Sequence, residues 1–349
     1  MKLFSYPYLV QKEIIDHLTF NHMFFLALCS KRTKHLIKHI RKYQFEKVEQ
    51  VTYCIKDETT TIELFSDSFW AQPLKCFKAC ISDAEYVRVN ELGPPIDFYR
   101  CPEIESDMLV KYDPENVESA IEAIHNHFLD LMGPQTKYWL EITQEEDVHY
   151  FPILRNIQML DVMGYGFDMK RINEFLSRST CLEYVSWTTR FRQEIVLEEN
   201  SIFFELDTLY ICTARNFTTD VLRKFNGRHV FLKSLTVLTT DAIQFLNDWR
   251  SGKKYQNLEV ISMENRFNIP MIRNWVEFNN VTIEVEYSFD RKFPDRDTRS
   301  FDDDPSEFKS HFYMVRKSDG RVASVKLTDS SIIMGVWNMT EKEFLGTFQ

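Results

Sequence analysis

Five six-residue segments of this chain share one apolar pattern at a nearly fixed spacing. Each has an aliphatic, methionine or tryptophan side chain at positions 1, 4 and 6, and the segments begin at Ile157, Leu182, Leu206, Leu232 and Leu258. Their starts lie 25, 24, 26 and 26 residues apart. A unit of this length cannot bury its apolar face alone, so neighbouring copies must stack to complete a core.

The repeat predicts the fold class. Strand and helical patterns alternate through residues 136–290, which indicates an α/β, leucine-rich-repeat-like solenoid with a parallel sheet and helices on its convex side. The helical patterns cover residues 170–178 and follow Thr218, Thr239 and Pro270. A solenoid of this kind presents an extended surface to another macromolecule rather than a reaction pocket.

Alternation along the strands predicts which side chains leave the solenoid core. Positions 4 and 6 point inward, so positions 3 and 5 point to the opposite face. We expect this row to bind a protein substrate, because it is small, hydroxylic and aromatic, and tyrosine is enriched at interfaces. The alternative is a sheet that is covered on both faces. The row comprises Met159, Asp161, Tyr184, Ser186, Thr208, Tyr210, Ser234, Thr236, Val260 and Ser262.

Composition excludes several classes of protein. With 349 residues, 44% of them hydrophobic, the chain can build one large core or two domains. A net charge of -10 argues against broad nucleic-acid binding. The seven irregularly spaced cysteines indicate reduced thiols in a cytoplasmic or nuclear protein. No apolar run near the N-terminus approaches the roughly 20 residues of a membrane span, so we expect no membrane partner.

The first 45 residues predict three short helices. Apolar residues from Leu9 to Leu18 follow one helix face, and Asn21 and Ser30 are the expected N-caps of the second and third helices. Residues 23–28 of the second helix are all apolar. They cannot all face one small core, and an exposed remainder of this kind marks a protein interface.

The same segment resembles an F-box. The order of a proline, aliphatic residues, an aromatic residue and a Cys-Ser-Lys-Arg run extends over roughly residues 4–40, with Tyr6 and Thr33 departing from the common pattern. The resemblance implies docking to the Skp-family adaptor of a cullin-based (SCF) ubiquitin ligase. The alternative is a helical cap on the solenoid, although a cap would prefer a polar outer face. The positions that match the adaptor-binding motif are Pro7, Val10, Ile14, Leu18, Phe24, Leu28 and Cys29.

Two further regions flank the solenoid. Residues 46–135 combine short strand candidates with a helix that runs from Asp113 to about Leu131, and form a mixed connecting region. Residues 291–349 begin with a charged loop and continue as a hairpin with its turn at Ser318–Gly320, followed by a third strand. This C-terminal β-hairpin cap would close the open edge of the solenoid.

A second resemblance lies inside the solenoid. Residues 245–252 together with 257–259 are similar to the F-box-associated domain of nematode F-box proteins. The similarity covers about residues 200–275 and implies that this region takes part in substrate recognition.

The sequence contains no familiar catalytic motif. It lacks a nucleophile elbow, a zinc-protease motif and a phosphate-binding loop. Cys76 and Cys80 alone are too few for a zinc site, and His125 and His127 are expected on the surface. We therefore expect a non-enzymatic adaptor without a cofactor, bound to a protein substrate whose identity is unknown. A protein-interaction scaffold without a ligase role and a hydrolase built on the C-terminal region are the alternatives.

Overall fold

The chain divides into two compact units. The computed structural model describes residues 3–56, 59–66, 69–77, 86–89, 96–100, 108–111, 117–144, 151–164, 166–189, 197–212, 217–233, 237–288 and 307–347. The first unit comprises Met1–Asp161 and Gly166–Cys181, and the second comprises Val162–Tyr165 and Leu182–Gln349. The charged loop predicted at the start of the C-terminal region lies outside the described residues.

Helices occur in both units. In chain order they are α1 (Tyr8–Asp16), α2 (Phe20–Cys29), α3 (Lys31–Glu46), α4 (Val117–Leu131), α5 (Met169–Arg178), α6 (Phe217–Lys224), α7 (Thr239–Ser251), α8 (Ile269–Trp275) and α9 (Glu341–Thr347). Short 3-10 helices occupy Leu3–Ser5 and Ile202–Glu205. No helix in the described part of the chain has the length and apolar character that crossing a membrane requires.

Strands make up most of the described residues that lie outside the helices. They are β1 (Gln50–Lys56), β2 (Thr59–Ser66), β3 (Phe69–Phe77), β4 (Tyr86–Val89), β5 (Ile96–Arg100), β6 (Met108–Lys111), β7 (Lys137–Gln144), β8 (Met159–Gly164), β9 (Tyr184–Thr189), β10 (Thr208–Cys212), β11 (His229–Lys233), β12 (Val260–Glu264), β13 (Asn279–Ser288), β14 (Glu307–Val315), β15 (Arg321–Leu327) and β16 (Ser331–Thr340). The prediction of three N-terminal helices followed by mixed α/β structure is confirmed.

In the first unit a helix and a strand bury each other. The strand order is β7-β1-β2-β3-β6-β5-β4, with β1 parallel to β7 and antiparallel to β2. Successive residues Val51, Thr52 and Tyr53 of β1 are all buried, so both faces of this strand are covered. Helix α4 directly precedes β7 in sequence and contributes buried apolar side chains, among them Ile124 and Phe128.

In the second unit parallel strands meet an antiparallel C-terminal extension. Strands β9, β10, β11 and β12 pair in parallel, with α6 and α7 in the connections between the last three. The predicted hairpin is present as β14 and β15, and its turn ends at Gly320, whose φ of 73° is the left-handed conformation that glycine favours. The last strand, β16, pairs antiparallel with β12 and so covers the edge that the parallel strands would otherwise leave open.

Strand pairing shows that the predicted start of the fourth repeat, Leu232, is wrong. Val230 and Leu232 of β11 lie opposite Leu209 and Ile211 of β10, which are positions 4 and 6 of their own segment. Leu232 therefore occupies position 6 of its segment rather than position 1, and position 1 is Gly227. The starts of the third, fourth and fifth segments are then 21 and 31 residues apart, instead of the predicted 26 and 26.

Close packing explains why a glycine replaces the expected leucine. A Cβ atom on Gly227 would lie 1.8 Å from the carbonyl oxygen of Leu206 and 2.6 Å from the ring of Phe225. Because both neighbours are fixed in the fold, any side chain at this position would force the backbone apart. The apolar signature is lost at this repeat because the chain leaves no room for a side chain at position 1.

Replacing Gly227 by alanine tests this register. Gly227→Ala should lower the free energy of unfolding by about 2–3 kcal/mol, since overpacking against backbone cannot be relieved by a rotamer change. Gly346→Ala is the matched control, because Gly346 lies in α9 with no atom within 4 Å of the added methyl group. Urea unfolding followed by circular dichroism measures both, and equal stabilities would contradict the placement.

Candidate protein-docking site

Capping side chains begin the second and third N-terminal helices, whereas α1 follows Pro7 without a side-chain cap. Ser30 caps α3, as predicted, and its hydroxyl accepts a hydrogen bond from the Thr33 amide at 3.0 Å. The expected cap of α2 at Asn21 is wrong, because the helix begins at Phe20 and Thr19 accepts from the His22 amide. Threonine caps nearly as well as asparagine, and the earlier start lets Phe20 join the core.

Helix α4 completes the core of these three helices. Phe24 and Leu28 of α2 are 1% and 2% exposed. The Phe24 ring stacks on Phe128 of α4 with centroids 4.4 Å apart, and meets His127 edge-on at 5.2 Å. The expected apolar remainder of α2 is only partly exposed, because Phe25 and Leu26 are half-buried and the other residues of the run are buried. Phe24 and Leu28 are not available to a partner, because both side chains are buried within the chain.

Two histidines of α4 are also interior residues, contrary to the expectation that they lie on the surface. His125 bridges the Tyr53 hydroxyl at 2.8 Å and the Arg155 carbonyl at 2.6 Å. Burial lowers the pKa of His125 to about 4 and that of His127 to about 3. Both imidazoles are therefore neutral at pH 7, which is the form that an apolar interior tolerates.

Ion pairs between α3 and the end of α4 reinforce this packing. Lys34 forms a salt bridge with Asp130, and the Lys38 ammonium lies 3.4 Å from the same carboxylate. The hydrogen bond from Lys34 holds the pKa of Asp130 below its usual value. Since the group is partly exposed, the pair contributes modestly to stability and mainly fixes the position of α3 along α4.

A run of exposed apolar residues lies at the start of α1. Tyr6, Tyr8, Leu9 and Val10 are 45%, 48%, 76% and 41% exposed, and Pro7 between them is exposed as well. We call these five residues the α1 face. A contiguous exposed apolar run of this kind marks an interaction surface. The sequence-based prediction of adaptor-binding residues included Pro7 and Val10 but not Tyr6, Tyr8 and Leu9. Five consecutive apolar or aromatic residues in the sequence could have indicated this surface.

The remaining motif positions differ in accessibility. Cys29 is exposed at the end of α2, whereas Ile14 and Leu18 are half-buried. These three can contribute to a surface that extends from the α1 face. Five of the seven predicted adaptor-binding residues are thus accessible, and the two inaccessible ones, Phe24 and Leu28, shape the helices that carry the others.

Charge is concentrated around this site. The first 47 residues carry nine lysines and arginines against three acidic residues, although the whole chain has 42 against 52. Lys31, Arg32 and His35 of α3 are exposed, and the Arg32 guanidinium lies 4.1 Å from the Phe4 ring centroid. A positive surface on a negative chain favours a partner with an acidic surface.

The predicted substrate-binding row is not a surface. Met159, Tyr184, Ser186, Thr208 and Tyr210 are each less than 5% exposed, and Asp161 is half-buried. Val260 and Ser262, at 0% and 1%, are buried as well, whereas Ser234 and Thr236 lie outside the described residues. The expectation of an open recognition face is wrong for the described members of the row.

The C-terminal extension explains this burial in the second unit. Tyr210 packs in one apolar cluster with Phe231 and Val260 of the neighbouring strands and with Tyr287 and Phe308 of β13 and β14. The Tyr287 hydroxyl also donates to the Glu259 carbonyl at 3.2 Å. Strands β13 and β14 therefore cover the sheet face opposite the helices, which is the two-sided burial that strand alternation alone could not exclude.

Comparison with known proteins identifies the N-terminal segment. The model of the F-box domain matches residues 7–45. Neither the curated proteins nor the solved structures contain a match to this chain. The F-box prediction is confirmed for these residues, which include α1, α2 and most of α3. In the described part of the chain, no group of three or more His, Cys, Asp or Glu side chains is placed to hold a metal ion.

Truncation of Phe24 tests the packing of the F-box on α4. Phe24→Ala should lower the free energy of unfolding by about 3–5 kcal/mol, because it removes a fully buried ring and leaves a cavity against Phe128. Leu9→Ala, at a position that is 76% exposed, should change it by no more than about 0.5 kcal/mol. Urea unfolding monitored by circular dichroism distinguishes the two, and a mild effect of Phe24→Ala would place this ring on the surface.

Truncation of Tyr210 tests the covered sheet face. We expect Tyr210→Ala to cost about 3–5 kcal/mol of stability, as large-to-small changes of buried aromatics do. Trp275→Ala provides the comparison, since its side chain is 68% exposed. Thermal unfolding should show a clear drop in midpoint for the first variant alone; similar midpoints would mean that β13 and β14 leave this face open.

Proposed function

We propose that this chain is the substrate-recognition subunit of a cullin-based (SCF) ubiquitin ligase. The observation that carries the proposal is the F-box domain at residues 7–45, whose α1 face is exposed and apolar. F-box domains generally bind the Skp-family adaptor, and through it a cullin. The chain would hold a protein substrate near the ubiquitin-loaded enzyme and so raise the local concentration of substrate lysines.

In this proposal the adaptor is bound by the accessible side of the F-box. Pro7, Val10 and Cys29 would contact it directly, with Ile14 and Leu18 at the margin. Phe24 and Leu28 would act indirectly, because Phe24 packs α2 against α4 and Leu28 is buried in the same helix. The exposed lysines and arginines of α3 would steer an acidic adaptor toward the α1 face.

The remainder of the chain would bind the substrate without catalysing a reaction. We propose that it is a leucine-rich-repeat-like solenoid and an F-box-associated domain of the kind found in nematode F-box proteins. The parallel strands β9–β12 with intervening helices support the first assignment, although their spacing is irregular. We expect a cytoplasmic or nuclear protein without a cofactor, bound to neither nucleic acid nor membrane.

One observation favours a second candidate, a protein-interaction scaffold in which the N-terminal helices are only a cap. The F-box helices share their core with α4 through the Phe24–Phe128 stack, as a cap on the following domain would. The cap hypothesis does not explain why Leu9 and Val10 are exposed, whereas docking of the α1 face to an adaptor does. Adaptor capture therefore separates the two candidates.

Substitution on the α1 face tests the proposal. Leu9→Asp with Val10→Asp should weaken binding of a purified Skp-family adaptor by at least about tenfold, since burying each aliphatic side chain is worth about 1.5–3 kcal/mol. Stability should be nearly unchanged, because both side chains are exposed. Biolayer interferometry measures the affinity, and circular dichroism confirms folding.

The matched control is Trp275→Asp with Ile283→Asp, which changes two exposed apolar residues of the second unit in the same way. This variant should bind the adaptor as the unaltered chain does. If the Leu9→Asp, Val10→Asp variant also retains full affinity, the F-box does not dock through the α1 face. That result would favour the second candidate, in which the N-terminal helices are only a cap.

A further inference from the structure

Helix α1 carries the α1 face but buries little of itself in the first unit. Of its nine residues only Ile15 is buried, and Pro7, which precedes the helix, supplies no side-chain cap. A helix shorter than about 12 residues is marginal in water, because its few hydrogen bonds barely offset the cost of forming the first turn. Contacts with other elements must therefore keep α1 helical and in place.

Arg41 of α3 makes such a contact at the C-terminal end of α1. Its Nη2 atom donates to the carbonyl oxygen of Ile15 at 3.4 Å and to that of Asp16. The last four carbonyls of an α-helix have no partner within the helix, and they form the negative end of its dipole. The guanidinium therefore supplies hydrogen-bond donors and a positive charge where the end of a helix needs both.

An ion pair with Asp16 holds the guanidinium at this place. The Nε atom of Arg41 lies 3.3 Å from Oδ1 of Asp16, whose other oxygen accepts a hydrogen bond from Lys12 at 3.0 Å. The hydrogen bond from Lys12 lowers the pKa of the Asp16 carboxyl, and the charge of Arg41 lowers it further, so Asp16 is ionised at neutral pH. We call the two carbonyl hydrogen bonds and this ion pair the Arg41 contact.

The part of α3 that bears Arg41 is itself fixed in the core. The helix bends at Arg41, where φ is -111° and ψ is 19°. Ile37 before the bend and Phe45 after it are buried, and the Phe45 ring meets Phe20 of α2 edge-on with centroids 5.5 Å apart. Arg41 therefore reaches α1 from a backbone that packing holds on both sides.

The N-terminal end of α1 has a weaker contact with the same helix. The centroid of the Tyr8 ring lies 6.4 Å from that of the His39 ring of α3, and both side chains are exposed. Exposed side chains contribute little to stability. The firmest attachment of α1, by the Arg41 contact and the buried Ile15, therefore lies at its C-terminal end.

We propose that Arg41 is a positioning residue for adaptor docking. By holding the C-terminal end of α1, it keeps Leu9 and Val10 of the α1 face in the orientation that the adaptor meets. The inference rests on the proposed function, because it names the residue that fixes the same docking surface. Arg41 contributes without touching the adaptor, since an apparent Kd rises when the binding-competent arrangement is populated for only part of the time.

Substitution of Arg41 tests the proposal on the full chain, with Lys42→Gln as the matched control. Lys42 is the next residue of α3, its side chain is 75% exposed, and its loss changes the charge equally. In Arg41→Gln, the amides of residues 8–18 should exchange hydrogen at least about tenfold faster, because a charge-assisted hydrogen bond no longer opposes local opening. Hydrogen exchange with mass spectrometry measures this rate, and Lys42→Gln should leave it unchanged.

Adaptor binding gives the second measurement. Biolayer interferometry with a purified Skp-family adaptor should show an affinity at least about threefold lower for Arg41→Gln, since fewer molecules hold α1 in place. Lys42→Gln should bind as the unaltered chain does. Circular dichroism confirms that each variant is folded.

Two further variants separate geometry from charge. Arg41→Lys keeps the charge but lacks the planar fork that reaches two carbonyls and a carboxylate together, so its affinity should fall as for Arg41→Gln. Asp16→Asn removes the ion pair but leaves the carbonyl hydrogen bonds, so its loss of affinity should be smaller. Arg41→Lys also carries the test if Arg41→Gln fails to fold.

A double-mutant cycle shows whether Arg41 acts through the α1 face. In a chain that already carries Leu9→Asp with Val10→Asp, Arg41→Gln should cause no further loss of adaptor affinity, because the surface that it positions no longer binds.

Three results would overturn the proposal. They are unchanged hydrogen exchange of α1 in Arg41→Gln, unchanged adaptor affinity of that variant, or a full additional loss of affinity in the Leu9→Asp, Val10→Asp chain. A failure of the unaltered chain to bind the adaptor would instead refute the proposed function and the docking role with it, while the exchange rates would still show whether Arg41 holds α1.

Discussion

The stacking of Phe24 on Phe128 organises the N-terminal unit. Three helices of nine, ten and sixteen residues have too little surface to enclose a core of their own, so α4 provides the missing wall. His127 and the Lys34–Asp130 salt bridge continue the same contact. The F-box of this chain is consequently built into the domain that follows it rather than attached to it. The residues of the α1 face remain exposed.

The second unit is governed by a different constraint. Its parallel strands carry apolar side chains on both faces, and each face must be covered. Helices cover one face, and Tyr287 and Phe308 of the C-terminal strands cover the other around Tyr210. Charged side chains also meet where these strands begin. Arg228 directly precedes β11 and Glu259 directly precedes β12, and the Arg228 guanidinium donates to the Glu259 carboxylate at 2.7 Å.

The first constraint also decides the character of the surface that the F-box leaves exposed. Its exposed apolar residues are accompanied by exposed lysine and arginine side chains of α3, which in the proposed function suits an acidic partner that buries hydrophobic surface.

The sequence by itself determined the elements that depend on local chemistry. Helix α3 begins at its Ser30 cap, the C-terminal hairpin turns at Gly320, and the F-box order is legible in residues 7–45. Tertiary structure alone decided burial. Alternation says that Tyr184 and Tyr210 share a face, but only tertiary structure decides that this face is covered, at Tyr210 by β13 and β14 from far along the chain. The sequence pattern could not predict Gly227 either, because a close approach of two backbones requires no apolar residue. It also could not predict that Phe24 is buried, because α4, far along the chain, completes that core.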